Sequence, residues 1–190
     1  MRKIFLKSKN EGYTLVETLV AVSIFSVSIL GLLVALSQGL ADTGYAKKKI
    51  AAAYLAQEGI EYIRNMRDTF VIYDAVGPQE GWTAFIDYVS PSCASEFGCY
   101  FDDSNLVYTN PNKPMAGILI NACDGTCPEL LFNSATGKYG YIGESSGLIR
   151  KIQVASITAD EVKITSTVFW SQASGNYSVV FSNNLLNWIE

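Results

Sequence analysis

The sequence of 190 residues contains no histidine. Histidine is the usual proton carrier near neutral pH, the usual base that activates a serine or cysteine nucleophile, and the commonest zinc ligand. No paired-carboxylate motif of a hydrolase is present either, and the segment NSATGKYG at 133–140 lacks the spacing of a phosphate-binding loop. These absences predict a protein that is not an enzyme, with no catalytic residue, no cofactor and no metal.

Charge is absent from a long N-terminal stretch. Residues 18–41, TLVAVSIFSVSILGLLVALSQGLA, include no charged side chain. At about 1.5 Å per residue, a helix of this length spans the roughly 30 Å hydrocarbon layer of a bilayer. Four cations precede the stretch, Arg2, Lys3, Lys7 and Lys9, and the positive-inside rule keeps them in the cytoplasm. The sequence therefore predicts a single-pass membrane protein with a cytoplasmic N-terminus and an extracytoplasmic C-terminal domain.

Basic residues are scarce in the rest of the chain. Without residues 1–12, the chain keeps 10 of its 14 basic and 17 of its 18 acidic side chains, a net charge of −7. Such a body repels phosphate backbones, so we expect no nucleic-acid partner. The only basic run is Lys47, Lys48 and Lys49. It is interpreted as a solvated helix face or a contact with lipid headgroups, and membrane lipid is an expected partner before assembly.

One carboxylate stands at the cytoplasmic border of the uncharged stretch. Glu17 directly precedes it, and a carboxylate in a membrane helix costs about 2.5 to 3.5 kcal/mol near the bilayer centre and less near the interface. Such a residue is a candidate functional site, with chance placement at the membrane border as the alternative. Small residues also follow the apolar core in SQGLADTGYA at 37–46, so cleavage there by a signal peptidase is an alternative route of processing.

The residues around Glu17 carry a resemblance to a known family. The segment EGYTLVETLVAVSIF, residues 11–25, resembles the type IV prepilin signature, in which a glycine, an aromatic residue, Thr-Leu, an aliphatic residue and a glutamate open a long apolar helix. The resemblance implies cleavage between Gly12 and Tyr13 by a prepilin peptidase and N-methylation of Tyr13. It also implies that Glu17 neutralises the terminal amine of a neighbouring subunit. A buried carboxylate and a buried ammonium are each costly alone, and pairing offsets part of that cost.

The same resemblance implies a structural function. The expected partners are prepilin peptidase, other pilin or pseudopilin subunits and an inner-membrane assembly platform, and the product is a cell-surface or periplasmic filament. Many major pilins have a proline in the membrane helix, and residues 13–41 have none. The stretch LAQEGIEYIRNMRD at 55–68 also resembles the stem of minor pilins of the pilus-modification class. Both features favour a minor pilin or pseudopilin of a type IV pilus, a type II secretion system or a competence system.

A helical stem is predicted beyond the membrane segment. Residues 46–68 are rich in strong helix formers, so we expect one helix from Tyr13 to about Arg67. The stem has an apolar face that needs a cover, and a charged face interpreted as mostly solvated, made of Lys48, Glu58, Glu61 and Arg64. The apolar residues are Leu55, Ile60, Tyr62, Ile63 and Met66. Gly59 within the stem predicts the close approach of another backbone or a tolerated weak point.

Alternating patterns replace the helical period after the stem. The segment EVKITSTVFW at 161–170 predicts the strongest strand, which SQASGN connects to a partner strand at 177–182. Further strands are predicted at 148–156, 117–121, 130–133 and 138–142. Trp82, Phe85 and Val89 have helical spacing and predict a short helix. The predicted fold is therefore α+β: a long N-terminal helix, half membrane-spanning and half amphipathic, packed on an antiparallel sheet as in pilins.

The predicted organisation has four parts. Residues 1–12 form a cytoplasmic leader that is removed, residues 13–41 a transmembrane and filament-core helix, residues 42–68 the stem, and residues 69–190 an extracytoplasmic β-rich domain. Because that domain is placed outside the cytoplasm, its cysteines are expected to form disulfides rather than a zinc site. Four cysteines allow three connectivities, and we favour the local pairs Cys93–Cys99 and Cys123–Cys127 because each encloses turn-forming residues.

Two further features of the predicted domain concern ligands. Asp102, Asp103, Ser104 and Asn105 carry oxygen ligands suited to calcium, but they lack the EF-hand spacing, so a polar turn is the preferred interpretation. A filament-borne adhesin or binding module is the alternative function, in which the loops at 93–129 contact a surface or ligand. Exposure of the rings of Phe97, Tyr100 and Phe101 would favour this alternative, and their burial would oppose it.

Overall fold

The structure is a computed structural model that describes residues 12, 14–74, 76–102, 119–172 and 175–187. It confirms an α+β fold with a long N-terminal helix packed against an antiparallel sheet. The chain divides into two compact units, residues 1–44 and 45–190, and helix α1 contributes to both. The elements are α1 (Leu15–Tyr73), α2 (Pro78–Cys93), β1 (Cys99–Asp102), β2 (Leu119–Ala122), β3 (Glu129–Asn133), β4 (Lys138–Gly140), β5 (Glu144–Thr158), β6 (Glu161–Gln172) and β7 (Gly175–Leu186).

The first unit contains the apolar part of α1. Its large apolar side chains are exposed, from Leu15 to Leu40. The hydroxyl groups of Ser23, Ser26 and Ser28 each donate a hydrogen bond of 2.8 Å to the carbonyl four residues earlier. A polar group without a partner is costly in lipid. These serines satisfy their hydroxyl donors within the helix, so the apolar surface of α1 is compatible with a bilayer.

The second unit is organised around strand β5. β6 pairs along one side of β5, and β1 and β3 pair along the other side at different positions. β7 extends the sheet beyond β6, β2 extends it beyond β1, and β4 extends it beyond β3, all antiparallel. The seven strands therefore form one sheet in which the long hairpin of β6 and β7 builds one edge.

The outer part of α1 covers one face of this sheet. Its buried apolar side chains, together with those of α2 and the strands, form two clusters. One cluster contains Ile60, Ile63 and Met66 of α1, Trp82, Phe85 and Val89 of α2, and Phe101, Ile152 and Ile164 of the sheet. The other contains Ala52, Leu55 and Ala56 of α1 with Leu130, Leu148, Val168 and Trp170. The predicted apolar face of the stem is thus buried, with Tyr62 partly buried beside the ring of Phe101.

A buried arginine links α1 to β5. The Arg150 side chain is 5 % exposed and its Nη1 donates to Glu58 Oε2 at 2.7 Å and to the carbonyl of Leu55 at 3.3 Å. The guanidinium carbon also lies 4.5 Å from the ring centre of Phe101. Glu58 was predicted to be mostly solvated, and its side chain is 43 % exposed, but it also holds this buried cation. Removing either partner would leave a charge at the helix–sheet contact without its counterion.

Gly59 marks the closest approach of α1 to the sheet. A Cβ placed on Gly59 would lie 2.6 Å from Ser166 Oγ and 3.3 Å from Arg150 Cδ. Close approach was one of the two interpretations of this glycine, and the approaching atoms belong to side chains rather than to backbone. Only a residue without a side chain allows α1 and β6 to come this close.

The predicted end of the stem near Arg67 is wrong, because α1 continues to Tyr73. The additional turn contains Thr69, Phe70, Val71 and Ile72, whose β-branched and aromatic side chains favour strands by propensity. Burial overrides that preference, since Val71 lies in the core and Phe70 packs against it. After α1 ends, the carboxylate of Asp74 accepts hydrogen bonds from the N–H groups of Val76 (2.8 Å) and Gly77 (3.2 Å). This turn redirects the chain into α2.

The other predicted elements are largely confirmed. The short helix around Trp82 is α2, and the two predicted hairpins are β3–β4 and β6–β7. The strand predicted at 138–142 is shorter in the structure, because β4 ends at Gly140. The strands predicted at 148–156 and 177–182 are longer in the structure, as β5 and β7. Four residues of the predicted turn SQASGN belong to strands, because Gln172 pairs with Gly175. The strand predicted at 117–121 is observed as β2, from Leu119 to Ala122, with residues 117–118 outside the described residues.

Replacement of Gly59 by valine should destabilise the second unit. The added carbons would overlap Ser166 and force α1 away from β6, and overpacking of this kind costs about 1 to 3 kcal/mol. The measurement is thermal or denaturant unfolding of the full chain in detergent. Gly39→Val is the matched control, because a Cβ at Gly39 meets no atom within 4 Å. Equal stability of the Gly59 and Gly39 variants would contradict the assigned contact.

Candidate functional site

The N-terminal candidate site begins at Gly12 and includes Glu17. Tyr13 lies outside the described residues, whereas Gly12, Thr14 and Glu17 are described and exposed. Thr14 precedes the first helical residue, and its hydroxyl oxygen accepts a hydrogen bond from the N–H of Glu17 at 3.3 Å. This is the geometry of a helix N-cap, which satisfies one of the free donors at the start of α1. This role of Thr14 was not predicted from the sequence, although Thr-x-x-Glu before an apolar run is a known signal for the start of a helix.

Glu17 is the only charged residue from position 12 to position 41. Its side chain projects from the first turn of α1, where a negative charge interacts favourably with the helix dipole. The helix around it presents apolar side chains that are largely exposed, including Leu15, Val16 and Leu19. A surface of this kind will associate with lipid or with other apolar helices, and Glu17 is the one ionic group that it brings into either environment.

Residues 7–33 match the family model described as the prokaryotic N-terminal methylation motif. The match includes Gly12, Tyr13 and Glu17. It supports a type IV pilin-like protein. A pilin or pseudopilin type of subunit is structural rather than enzymatic, and the motif implies processing by prepilin peptidase and assembly with other pilins. Neither the curated proteins nor the solved structures gave a match to the chain.

The long helix of the chain agrees with a membrane anchor. α1 is the one helix among the described residues that is long and apolar enough to cross a bilayer, and its most apolar stretch is not buried in the structure. An apolar helix at the N-terminus fits a single-pass anchor of a type IV pilin.

The two pairs of cysteines form the second candidate site, at one side of the sheet. Cys93 is bonded to Cys99 and Cys123 to Cys127, which are the local pairs that sequence analysis favours. The loops at 93–99 and 123–127 touch, because the N–H of Cys123 donates to the carbonyl of Gly98 at 2.9 Å. Gly98 has a positive φ of 69°, and a Cβ there would lie 2.4 Å from the carbonyl oxygen of Ile152. The first loop is therefore pressed against β5.

The three aromatic rings near these loops lie in different environments. Phe101 is 2 % exposed and packs in the core. Tyr100 is half-buried, with its ring centre 5.3 Å from that of Tyr141. Phe97 is 44 % exposed. One exposed ring does not make an aromatic binding platform, so the arrangement of these rings gives little support to an adhesin site.

No metal centre is found within the described residues: they contain no group of three or more cysteine, aspartate or glutamate side chains placed to hold an ion. Of the four residues with oxygen ligands suited to calcium, Asp102 is described in β1, and Asp103, Ser104 and Asn105 lie outside the described residues.

Glu129, at the start of β3, accepts hydrogen bonds from the Ser145 hydroxyl and the N–H of Gly147, both at 2.6 Å. These hydrogen bonds hold the pKa of Glu129 below its ordinary value, and the bond from Ser145 has the largest effect. This carboxylate fixes β3 to β5.

Removal of the two disulfides by serine substitution should affect stability unequally. Chain entropy alone gives a loss of about 2 kcal/mol for each of these short loops. Cys93 and Cys99 are fully buried in the main core cluster, whereas Cys123 and Cys127 lie outside it. We therefore expect Cys93→Ser/Cys99→Ser to lower the unfolding midpoint more than Cys123→Ser/Cys127→Ser. Peptide mapping without reductant checks the pairing first, and an equal loss in both double variants would contradict the assigned difference in packing against the core cluster.

Proposed function

We propose that this pilin-like chain is a minor pilin or pseudopilin, a structural subunit of a type IV filament of the pilus, type II secretion or competence kind. The observation that carries the proposal is the N-terminal methylation motif on an exposed apolar helix whose only charge is Glu17. The lack of proline in residues 13–41 and the sequence of the stem support the minor class. The absence of histidine fits a subunit that acts by assembly.

Processing is proposed to occur between Gly12 and Tyr13, followed by N-methylation of Tyr13. A Cβ added to Gly12 meets no atom of the described residues within 4 Å. The described part of the fold therefore gives no reason for a glycine at this position. Recognition by a peptidase gives a reason for glycine. A peptidase must bring its catalytic groups close to the backbone, which is easiest at a residue without a side chain.

The proposed role of Glu17 is to bind the amine that this cleavage creates on a neighbouring subunit. Within a bundle of apolar helices, the amine and the carboxylate would both be removed from water, and each would need the other as a partner. Because the carboxylate would be the only ionic group on the apolar stretch, the pair would fix the relative positions of the two helices along their axes.

The proposed orientation follows from charge. The four cations of residues 1–12 hold the leader in the cytoplasm, and the chain beyond residue 41 is exported. Residues 13–41 would anchor the precursor in lipid and later form the filament core, with prepilin peptidase, other pilins and the inner-membrane assembly platform as partners. The oxidised cysteines of the body fit this extracytoplasmic location.

The described parts of the loops at 93–129, residues 93–102 and 119–129, are proposed to be structural parts of the body, and the adhesin alternative loses support. An aromatic binding surface would need the three rings of Phe97, Tyr100 and Phe101. Phe101 is buried, and Tyr100 packs against Tyr141, so two of these rings already have contacts within the domain. The first disulfide loop is also held against β5 through Gly98. These contacts give the loops a role in the domain itself.

The mature protein is expected to begin at Tyr13 and to carry a methyl group on its amine. Mass spectrometry of the N-terminal peptide from cells that contain the prepilin peptidase checks both points. Gly12→Ala is a mild probe, and bulkier replacements should block cleavage more strongly. Cleavage within residues 37–46 would mean that a signal peptidase processes the chain, which would overturn the proposed function.

Glu17→Gln should leave membrane insertion and cleavage intact and reduce incorporation into filaments. Glutamine can occupy the same capping position three residues after Thr14, so the start of α1 is preserved while the charge is removed. Loss of one partner of a buried ion pair costs about 3 to 5 kcal/mol, which is a factor of several hundred or more in an equilibrium constant.

The measurement is the amount of the variant in sheared filaments relative to the amount in the membrane. Thr14→Ser is the matched control, because it keeps an N-cap hydroxyl and the charge of Glu17. Wild-type incorporation of Glu17→Gln would show that the charge of Glu17 does not pair with an amine, even if the chain assembles as a pilin.

A further inference from the structure

Strand β7 is a long sheet edge with none of the usual protection. Among the described residues, β7 pairs with β6 and with no other strand, so it is an edge strand of the sheet in this part of the structure. The pairing with β6 runs without a bulge from Glu161↔Leu186 to Gln172↔Gly175. The 12 residues of β7 include no charged residue and no proline. Bulges, charges and prolines are the features by which edge strands avoid further pairing.

The exposed face of β7 has a palindromic sequence. Alternate residues of a strand share a face, and the exposed ones here are Asn176, Ser178, Val180, Ser182, Asn184 and Leu186. From Asn176 to Asn184 the sequence of this face reads the same in both directions from Val180, and Leu186 lies beyond this stretch. If a second β7 is placed antiparallel with Val180 opposite Val180, Ser178 faces Ser182 and Asn176 faces Asn184. Matched small polar pairs and a central apolar pair are favourable cross-strand neighbours.

The opposite face of β7 is compatible with the same register. There Tyr177 would face Asn183, Val179 would face Phe181, and Leu185 would face Gly175. Each larger side chain thus meets a smaller one. A register centred on Phe181 would instead bring two phenylalanines together on this face and place Val180 opposite Ser182 on the other, so it lacks the matched pairs.

Charge also favours a second copy of this chain at β7. Two bodies with a net charge of −7 each repel one another wherever their carboxylates face. β7 carries no charge, and the side chain of Asn184 already binds the neighbouring carboxylate of Glu161, from Nδ2 to Oε1 at 2.7 Å. We propose that β7 is a homotypic interface, at which two copies pair antiparallel about a two-fold axis through Val180.

The symmetry of this interface determines which copies can pair. A two-fold axis perpendicular to the sheet reverses every direction that lies in the plane of the sheet. Residues 45–73 of α1 pack on the face of the sheet, so the axis also reverses the direction of this part of the helix. The stems of the two copies therefore run in opposite directions. Copies whose stems run in parallel cannot form this interface, so it joins chains with antiparallel stems, as on separate filaments or separate surfaces.

Single-cysteine cross-linking of the full chain in detergent micelles tests the register. All four native cysteines are in disulfides, so an added cysteine supplies the reactive thiol. Val180→Cys should form a covalent dimer under mild oxidation. Ser178→Cys and Ser182→Cys should each stay monomeric alone and should cross-link when they are mixed. Ile157→Cys is the matched control, because Ile157 is 53 % exposed and Val180 58 %, and it should stay monomeric.

Charge substitutions at the axis test the interface without a covalent bond. The wild-type chain should have twice the protein mass of a monomer in light scattering. Val180→Lys and Val180→Glu should each halve that mass, because like charges would face one another, and a mixture of the two should restore it. A wild-type monomer, a monomeric Val180→Cys under oxidation, or equal cross-linking of Ile157→Cys would overturn the proposal. Since none of these readouts requires cleavage or filaments, the outcome is independent of the proposed function.

Discussion

The fold of the second unit depends on the close contact between α1 and the sheet at Gly59. The missing side chain lets Ser166 of β6 and Arg150 of β5 reach the helix. Arg150 then binds the carboxylate of Glu58 and the carbonyl of Leu55, so that a buried cation is neutralised where the two layers meet. Apolar clusters lie on both sides of this polar contact. They supply most of the burial, and the polar contact fixes the register of α1 on the strands.

The helices and strands could be predicted from local patterns because their periods are clear. The alternation of β6 places Val162, Ile164 and Trp170 on the buried face, as its sequence indicates. The end of α1 could not be predicted, because Phe70 and Val71 are helical only through their burial against the core formed with α2. Likewise, no local pattern reveals that Arg150 reaches Glu58, since 92 residues separate them in the sequence. Pairs that are distant in sequence depend on the sheet topology.

The residues of the candidate site stand out in the sequence more readily than the core contacts do, because they lie in one linear segment, and the roles assigned to them stay predictions. Glu17 and Gly12 lie within one short segment, and an isolated carboxylate beside an uncharged stretch is visible without any tertiary structure. The structure adds Thr14, whose hydroxyl caps the N–H of Glu17. It therefore separates two roles of Glu17 that the sequence leaves together: a position near the start of a helix, which glutamine also suits, and a negative charge, which glutamine lacks.

The distribution of charge separates surfaces that can meet another subunit from surfaces that repel one. The acidic body resists close contact between copies, because each new contact would bring carboxylates together. Uncharged surfaces escape this restriction, and the described residues include the apolar stretch of α1, with Glu17 at its border, and strand β7. Their chemistry differs, since α1 offers apolar area and β7 offers the backbone of a sheet edge. Apolar area tolerates helical partners in many orientations, so an ionic group is needed to select one. Backbone pairing is directional by itself, so β7 can specify a partner with neutral side chains alone.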